Sequence, residues 1–311
     1  MYPGQRVLKL SNSGTSCPLI GLGTWAPNFG DERTTKAKTW IMTALKTGYR
    51  LLDTAYSYGT EKAVGEAIRE SGINREEVYV ITKLPPNHHG RVLESIQESL
   101  DNLGFKWLDM YLMHWPVAAT YEGEEKENEP LHPEGAPKAV ELPTFNETWA
   151  AMEEALRQSK CEAIGVSNFS IRNLEALLKT ARVKPAMNQV EMHPYLQQND
   201  LLEFCKSQGI AVVAYTPSGT NVVRNDPVIV ELAGKYQVTP TQIILAWHLS
   251  RDVVVIPKSH DEGRQKENFN LPTLEDEDLK KIAALDRGQR ICNKGDENGL
   301  VWGMSLESLG W

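Results

Sequence analysis

Asp53, Tyr58, Lys83 and His114 are the residues of this chain whose types and spacing point most directly to chemistry. Asp53, Lys83 and His114 each close a short apolar run (YRLLD, VYVITK and MYLMH), and the three runs follow one another at steps of about 30 residues. Tyr58 comes shortly after Asp53, in DTAYSYG. A lysine ammonium beside a phenol favours the phenolate and is expected to lower the tyrosine pKa from about 10. A carboxylate can keep that lysine charged and oriented, which gives the buried charge a partner. A tyrosine tuned in this way can give a proton to a carbonyl oxygen as hydride reaches the carbon, and a histidine can orient the same oxygen. Taken singly, each residue has an ordinary explanation: a helix-capping aspartate, a solvated lysine, a half-buried tyrosine, a satisfied core histidine. Four of them at matched spacing argue for one site.

The elements that must position them recur along the chain. AIGVSN ends on Ser167 and Asn168, AMNQ on Gln189, AVVAY on Tyr215, and VVVIPKS on Lys258 and Ser259, while PLIGLGTW opens the series near Thr24 and Trp25. Eight such runs separated by amphipathic segments predict strands alternating with helices, hence an α/β fold, a (β/α)8 TIM barrel. In that fold the C-terminal strand ends share one mouth, so residues distant in sequence converge there. Helices are predicted over 36–47, 61–71, 91–103, 148–159, 171–180, 200–208, 241–250 and 264–270. Val7 to Leu10 and the Cys17 region predict an N-terminal β-hairpin, and residues 1–311 read as a single barrel domain.

Composition narrows the function classes. A net charge of −8 with no basic block argues against nucleic acid or an anionic membrane as partner. The N-terminal stretch has no apolar signal-peptide core, and no run reaches the ~18 apolar residues of a membrane span. Cys17, Cys161, Cys205 and Cys292 are isolated and read as buried or semi-buried thiols in a reducing, cytoplasmic setting. The adjacent His88 and His89 read as surface loop residues, and no metal is assigned. The acidic, Pro/Gly-rich segment 117–143 should overhang the mouth as one of its long loops, as a solvated face or as a determinant of substrate choice. The aromatic C-terminal stretch either packs over the barrel wall or lines the substrate pocket.

No GxGxxG follows the first strand, which makes a Rossmann dinucleotide site a poor explanation. Barrels bind phosphates near the last two strands, and IPKSHDEGRQKEN places Lys258, Ser259 and Arg264 at such a strand-to-helix junction. Two cations and a hydroxyl suit a 2′-phosphate, which predicts NADPH/NADP+ as cofactor with NADH as the weaker alternative.

GYRLLDTAYSYGTEKAVGEAI, WLDMYLMHWP, AIGVSNF, NQVEMHPY and IPKSHDEGRQKEN together resemble the aldo-keto reductase superfamily across essentially the whole chain. The C-terminal VWGMSLESLGW is similar to that of fungal members acting on small sugars, glyceraldehyde or keto esters. The resemblance implies a catalytic tetrad of Asp53, Tyr58, Lys83 and His114 with Tyr58 as proton donor. It assigns Glu267 and Asn268 to the adenine, Ser167, Asn168 and Gln189 to the nicotinamide carboxamide, and the Tyr215 ring to the nicotinamide face. Thr24, Trp25, Pro217 and Ser218 complete the expected cofactor set. Trp25 and Trp115, with Tyr58 and His114, are expected around the carbonyl substrate. Three positions depart from the family pattern. Asp261 stands where a threonine is frequent, and a carboxylate there is expected to oppose the phosphate. YTPSGTNVVRND is shorter than the usual cofactor-covering loop, and Pro85 stands where several relatives carry a tryptophan. The expected protein is a monomeric carbonyl reductase for small sugars, glyceraldehyde, uronates, keto esters or aromatic aldehydes. The competing readings are a Schiff-base lyase using Lys83 and a non-catalytic cofactor sensor.

Overall fold

The computed structural model describes residues 6–26, 33–121 and 138–311. β1 (Val7–Lys9) and β2 (Ser16–Pro18) pair antiparallel as the N-terminal hairpin. The Asn12 Nδ2 in its turn donates to the carbonyls of Pro185 and Gln208, just before two of the barrel strands, so the hairpin covers the mouth opposite the strand ends.

The barrel is built from β3 (Leu22–Gly23), β4 (Leu51–Asp53), β5 (Tyr79–Leu84) and β6 (Met110–Met113). After the short antiparallel pair β7 (Ala118–Ala119) and β8 (Ala139–Val140), it continues with β9 (Ile164–Ser167), β10 (Met187–Glu191), β11 (Ala211–Tyr215) and β12 (Val254–Val255). These eight parallel strands follow one another in order, and a parallel bridge between Ile20 and Val255 joins the first edge to the last. The predicted (β/α)8 barrel is therefore the observed fold. β4, β5, β6, β9 and β10 are buried along their whole length, as expected of strands covered on both faces, and for that reason they read as nearly unbroken apolar runs.

The helices between and after the strands are α1 (Arg33–Thr47), α2 (Glu61–Ser71), α3 (Val92–Leu103), α4 (Phe145–Arg157), α5 (Ile171–Leu178) and α6 (Asn199–Gln208). They continue with α7 (Thr220–Arg224), α8 (Pro227–Tyr236), α9 (Pro240–Ser250), α10 (Glu262–Glu267) and α11 (Asp276–Ala283). A small hairpin of β13 (Leu300–Val301) and β14 (Met304–Ser305) with α12 (Leu306–Leu309) ends the chain. α4 begins three residues before the expected Thr148, because Thr144 and Glu147 form a reciprocal capping box there. α8 and α11 fall where no helix is predicted, although Asp226 capping Pro227 is a strong start signal in the sequence.

Several expectations are corrected. β10 runs two residues beyond Gln189, and the last barrel strand is only Val254–Val255, so Lys258 and Ser259 lie in the loop above it. α10 starts and ends earlier than 264–270, because Asp261 caps it. His88 and His89 are not surface residues: they are 1% and 2% exposed, because the Pro86–His88 turn folds inward and seats His88 Nδ1 against Ser95 Oγ at 2.9 Å. Burial holds His88 down at a pKa of about 4 and His89 at about 3. Cys292 is exposed, while Cys17, Cys161 and Cys205 are buried. Of the 117–143 segment, 122–137 lies outside the described residues, and Val117, Ala119 and Ala139 from its flanks line the cavity at the mouth. Among the described residues no helix is long and apolar enough to cross a membrane.

Candidate active site

A cavity of about 990 Å³ opens at the C-terminal strand ends. Asp53 is the last residue of β4, paired in register with Gly23 and Ile81, and Tyr58 ends the short turn that follows. Gly59 after it adopts a left-handed conformation (φ 62°) that glycine takes without strain, and this reverses the chain so that Tyr58 stays at the mouth. Asp53, Tyr58 and His114 all line the cavity. Lys83 does not. It is fully buried behind Asp53, donating to Asp53 Oδ1 at 2.7 Å and to the Thr54 carbonyl at 2.8 Å. Its Nζ lies 4.9 Å from the Tyr58 ring centroid, and the Tyr58 and His114 rings meet edge to face at 5.7 Å. The sequence thus brings the four residues together, with Lys83 as the hidden member.

Electrostatics correct one expectation. Burial, reinforced by the Asp53 charge, pushes the Tyr58 phenol well above its usual pKa instead of lowering it. Burial is the larger cause, and the Asp53 carboxylate, held 2.7 Å from Lys83, adds to it. Within the pair, burial raises the Asp53 carboxyl and lowers the Lys83 ammonium, and their mutual attraction opposes both shifts. His114 is held well below its usual range by burial and then by the Lys83 charge, so the ring is neutral.

Next to this group lies a set of amides. Gln189 Nε2 donates to Asp53 Oδ2 at 2.7 Å, and Ser167 Oγ donates to the Gln189 carbonyl at 2.8 Å. Asn168, at φ 64°, donates from Nδ2 to the His114 carbonyl and accepts from the Tyr215 hydroxyl at 2.7 Å. All four residues line the cavity.

The C-terminal tail joins this set through residues that sequence reasoning did not single out. Asn293 Nδ2 donates to the Tyr215 hydroxyl at 2.6 Å, and Trp302 Nε1 donates to Asn293 Oδ1 at 2.9 Å. The buried Glu191 carboxylate anchors the same stretch by accepting the backbone N–H groups of Ile291, Cys292 and Asn293. Asn293, Trp302 and Met304 line the cavity, so the tail forms part of its wall. The Glu at a strand end was the available signal, but nothing local to it indicates a partner a hundred residues away.

Trp25 and Trp115 both line the cavity: Trp115 stacks on His114, with its ring centroid 6.0 Å from that of Trp311, while Lys258 Nζ lies 5.7 Å from the Trp25 ring centroid. Pro86 lines the cavity where Pro85 was considered. Pro217, Ser218, Lys258, Ser259, Arg264, Glu267 and Asn268 form the far end of the same cavity. Thr24 does not reach it. It is fully buried, donating to the Asp53 carbonyl at 2.9 Å, and so braces the site from behind. Asp261 is also absent from the wall, because its carboxylate accepts the Arg264 backbone N–H at 2.8 Å as the cap of α10. Neither Lys258 nor Arg264 has a carboxylate partner among the described residues, which leaves that end positively charged.

Known proteins resemble the chain over the same span as this architecture. The aldo/keto reductase family pattern matches residues 19–287. The chain is 41% identical over 296 residues to glycerol 2-dehydrogenase (NADP(+)) of Saccharomyces cerevisiae, covering 92% of this chain and 93% of that protein. It is 37% identical to D-galacturonate reductase of Hypocrea jecorina, covering 94% and 93%. Glyoxal reductase of Bacillus subtilis is also 37% identical, covering 93% and 96%. By a family pattern that spans nearly the whole barrel and by relatives aligned almost end to end, the chain belongs to the aldo/keto reductase family.

Proposed function

We propose that the protein reduces aldehydes or ketones to alcohols with NADP(H), using Tyr58 as the proton donor. The observation that carries this reading is the buried Asp53–Lys83 pair directly behind Tyr58, with Tyr58 and His114 facing one cavity. When bound, the reduced nicotinamide supplies the hydride. Tyr58 holds its proton over the working pH range and delivers it from the phenolic oxygen to the substrate oxygen. Lys83, 4.9 Å from the ring, stabilises the phenolate as it forms. The neutral His114 ring offers an N–H to the same oxygen. Ser167, Asn168 and Gln189 are suited to a carboxamide, Tyr215 to the nicotinamide face, and Glu267 and Asn268 to the adenine. Lys258, Ser259 and Arg264 would hold the 2′-phosphate, with NADH as a weaker ligand that lacks it.

The named relatives act on glycerol, galacturonate and glyoxal, which favours small polar carbonyl compounds for this chain as well. Trp25 and Trp115 add flat apolar surface for aromatic aldehydes. We take the protein to be a cytoplasmic monomer. A Schiff-base role for Lys83 is disfavoured, since its amine is buried away from the cavity and bonded to Asp53 and Thr54. The test follows NADPH oxidation at about 340 nm with a panel of aldehydes, ketones and uronates. Tyr58→Phe should lose about 10²-fold or more in kcat with NADPH binding nearly unchanged. A variant that kept most of its rate would overturn the proton-donor assignment.

A further inference from the structure

We infer that Glu61 is a positioning residue of this site: from behind β5, its buried carboxylate gives Lys83 a second counter-charge besides Asp53. The inference rests on the proton-donor reading above and assigns a residue which that reading leaves out.

Glu61 opens α2 and is 2% exposed. Its Oε1 accepts from Thr82 Oγ1 at 2.6 Å, and its Oε2 accepts from Asn102 Nδ2, in the last turn of α3, at 3.0 Å. Both donors are neutral, and no cation pairs with Glu61 among the described residues. A buried carboxylate is costly unless positive charge compensates it. The positive end of α2 meets part of that need, because Glu61 lies in its first turn.

The backbone shows where the rest can come from. Thr82, which holds Glu61, immediately precedes Lys83 on β5, where successive side chains face opposite sides of the sheet. Glu61 therefore stands on the helix side of the strand, and Lys83 reaches Asp53 on the barrel side. A second tie runs through Thr60, the residue before Glu61. Its Oγ1 lies 3.0 Å from Thr54 Oγ1, and the Thr54 carbonyl accepts from Lys83 Nζ at 2.8 Å. The start of α2 is thus fastened both to the strand neighbour of Lys83 and to one of its acceptors.

The charges agree with this placement. Burial lowers the Lys83 ammonium, while the field of Asp53, followed by that of Glu61, acts to keep its proton. Burial raises the Glu61 carboxyl; the bonds from Thr82, Asn102 and Ser99 oppose that rise, and Glu98 of α3 adds to it. The other titratable groups nearby are Tyr58 and His114 on the cavity side and Tyr111 of β6, all kept neutral by burial. Asp53 spends its other oxygen on the Gln189 amide, so a second carboxylate helps keep the ammonium charged for the phenolate that forms at Tyr58.

Glu61→Gln removes the charge and keeps the shape, since the Thr82 hydroxyl and the Asn102 amide can each turn to accept from the new amide. In the full chain saturated with NADPH, the alkaline limb of kcat for reduction should move about one unit toward neutral pH, a tenfold change in the Lys83 protonation equilibrium. The Kd for NADPH should not change. Glu61→Asp, which keeps the charge, should recover much of the shift. In a Lys83→Arg background, where position 83 no longer titrates in this range, Glu61→Gln should leave the limb of the residual rate in place. A limb that stays put in Glu61→Gln, with or without a lower melting temperature, would make Glu61 a structural brace alone and overturn the inference. So would an equal shift in the Lys83→Arg background, because the field would then act on Tyr58 directly. Full kcat in Tyr58→Phe would instead remove the proton-donor reading on which the inference rests.

Discussion

At one end of the cavity Lys83 is fully buried and lies 2.7 Å from Asp53, whereas at the other Lys258 and Arg264 are exposed and carry no carboxylate partner among the described residues. The first end is made by barrel strands. Asp53 and Lys83 sit on β4 and β5, and their charges cancel within a desolvated pair. The second end is made by loops and short helices above β11 and β12, where water and ligand can reach the cations. A buried ion pair keeps its geometry because neither partner can leave without stranding a charge. Uncompensated rim cations hold little geometry by themselves, but they leave their field available to an anion. Precision is thus placed in the sheet and affinity in the loops.

The most severe break of this contrast is Lys83→Met. It should lower the rate of carbonyl reduction by about 10²-fold or more, and it should also destabilise the fold by about 3–5 kcal/mol, because the buried Asp53 loses its counter-charge. The double variant Asp53→Asn/Lys83→Met should recover much of the melting temperature without recovering activity. Activity returning along with stability would show that the pair is only structural.

At the open end the losses should be selective. Arg264→Ala should weaken NADPH by about 1.5–3 kcal/mol, or roughly 10- to 150-fold in Kd, without lowering the melting temperature. NADH affinity should hardly change. Equal losses for both cofactors, measured by fluorescence titration, would mean that Arg264 does not read the 2′-phosphate.

Asp261 tests a finer point, since its carboxylate caps α10 and does not line the cavity. Asp261→Thr preserves a capping oxygen and removes an exposed charge. It should tighten NADPH by no more than about 1 kcal/mol. Asp261→Ala should cost about 1 kcal/mol of stability through the lost cap, read as a lower melting temperature. A large gain in NADPH affinity with Asp261→Thr would show that the carboxylate reaches the phosphate after all.

The smallest expected effect is an absence. Burial and the Lys83 charge place His114 well below its ordinary pKa of 6.5, so the ring loses its proton only at acid pH and is neutral above it. The kcat for reduction should then stay level between about pH 6 and 8 with respect to this group. A limb near pH 6.5 that vanished in His114→Asn would contradict the neutral ring.

The alternation of apolar strand runs with amphipathic segments determined the barrel by itself, because parallel strands covered on both faces must be apolar along their length. It also determined that Asp53, His114, Asn168 and Tyr215 share one mouth, since strand ends in a closed parallel barrel converge by topology. What lies behind that mouth depended on packing. That Lys83 is hidden from the cavity, that Gln189 spends its amide on Asp53 across 136 residues, and that Asn293 ties the tail to Tyr215 are contacts between distant segments, with no local signature. The burial of His88 and His89 and the raised pKa of Tyr58 have the same origin. Desolvation depends on how many neighbours the fold gathers around a side chain, a quantity set by the tertiary structure and absent from the residue's own stretch of sequence.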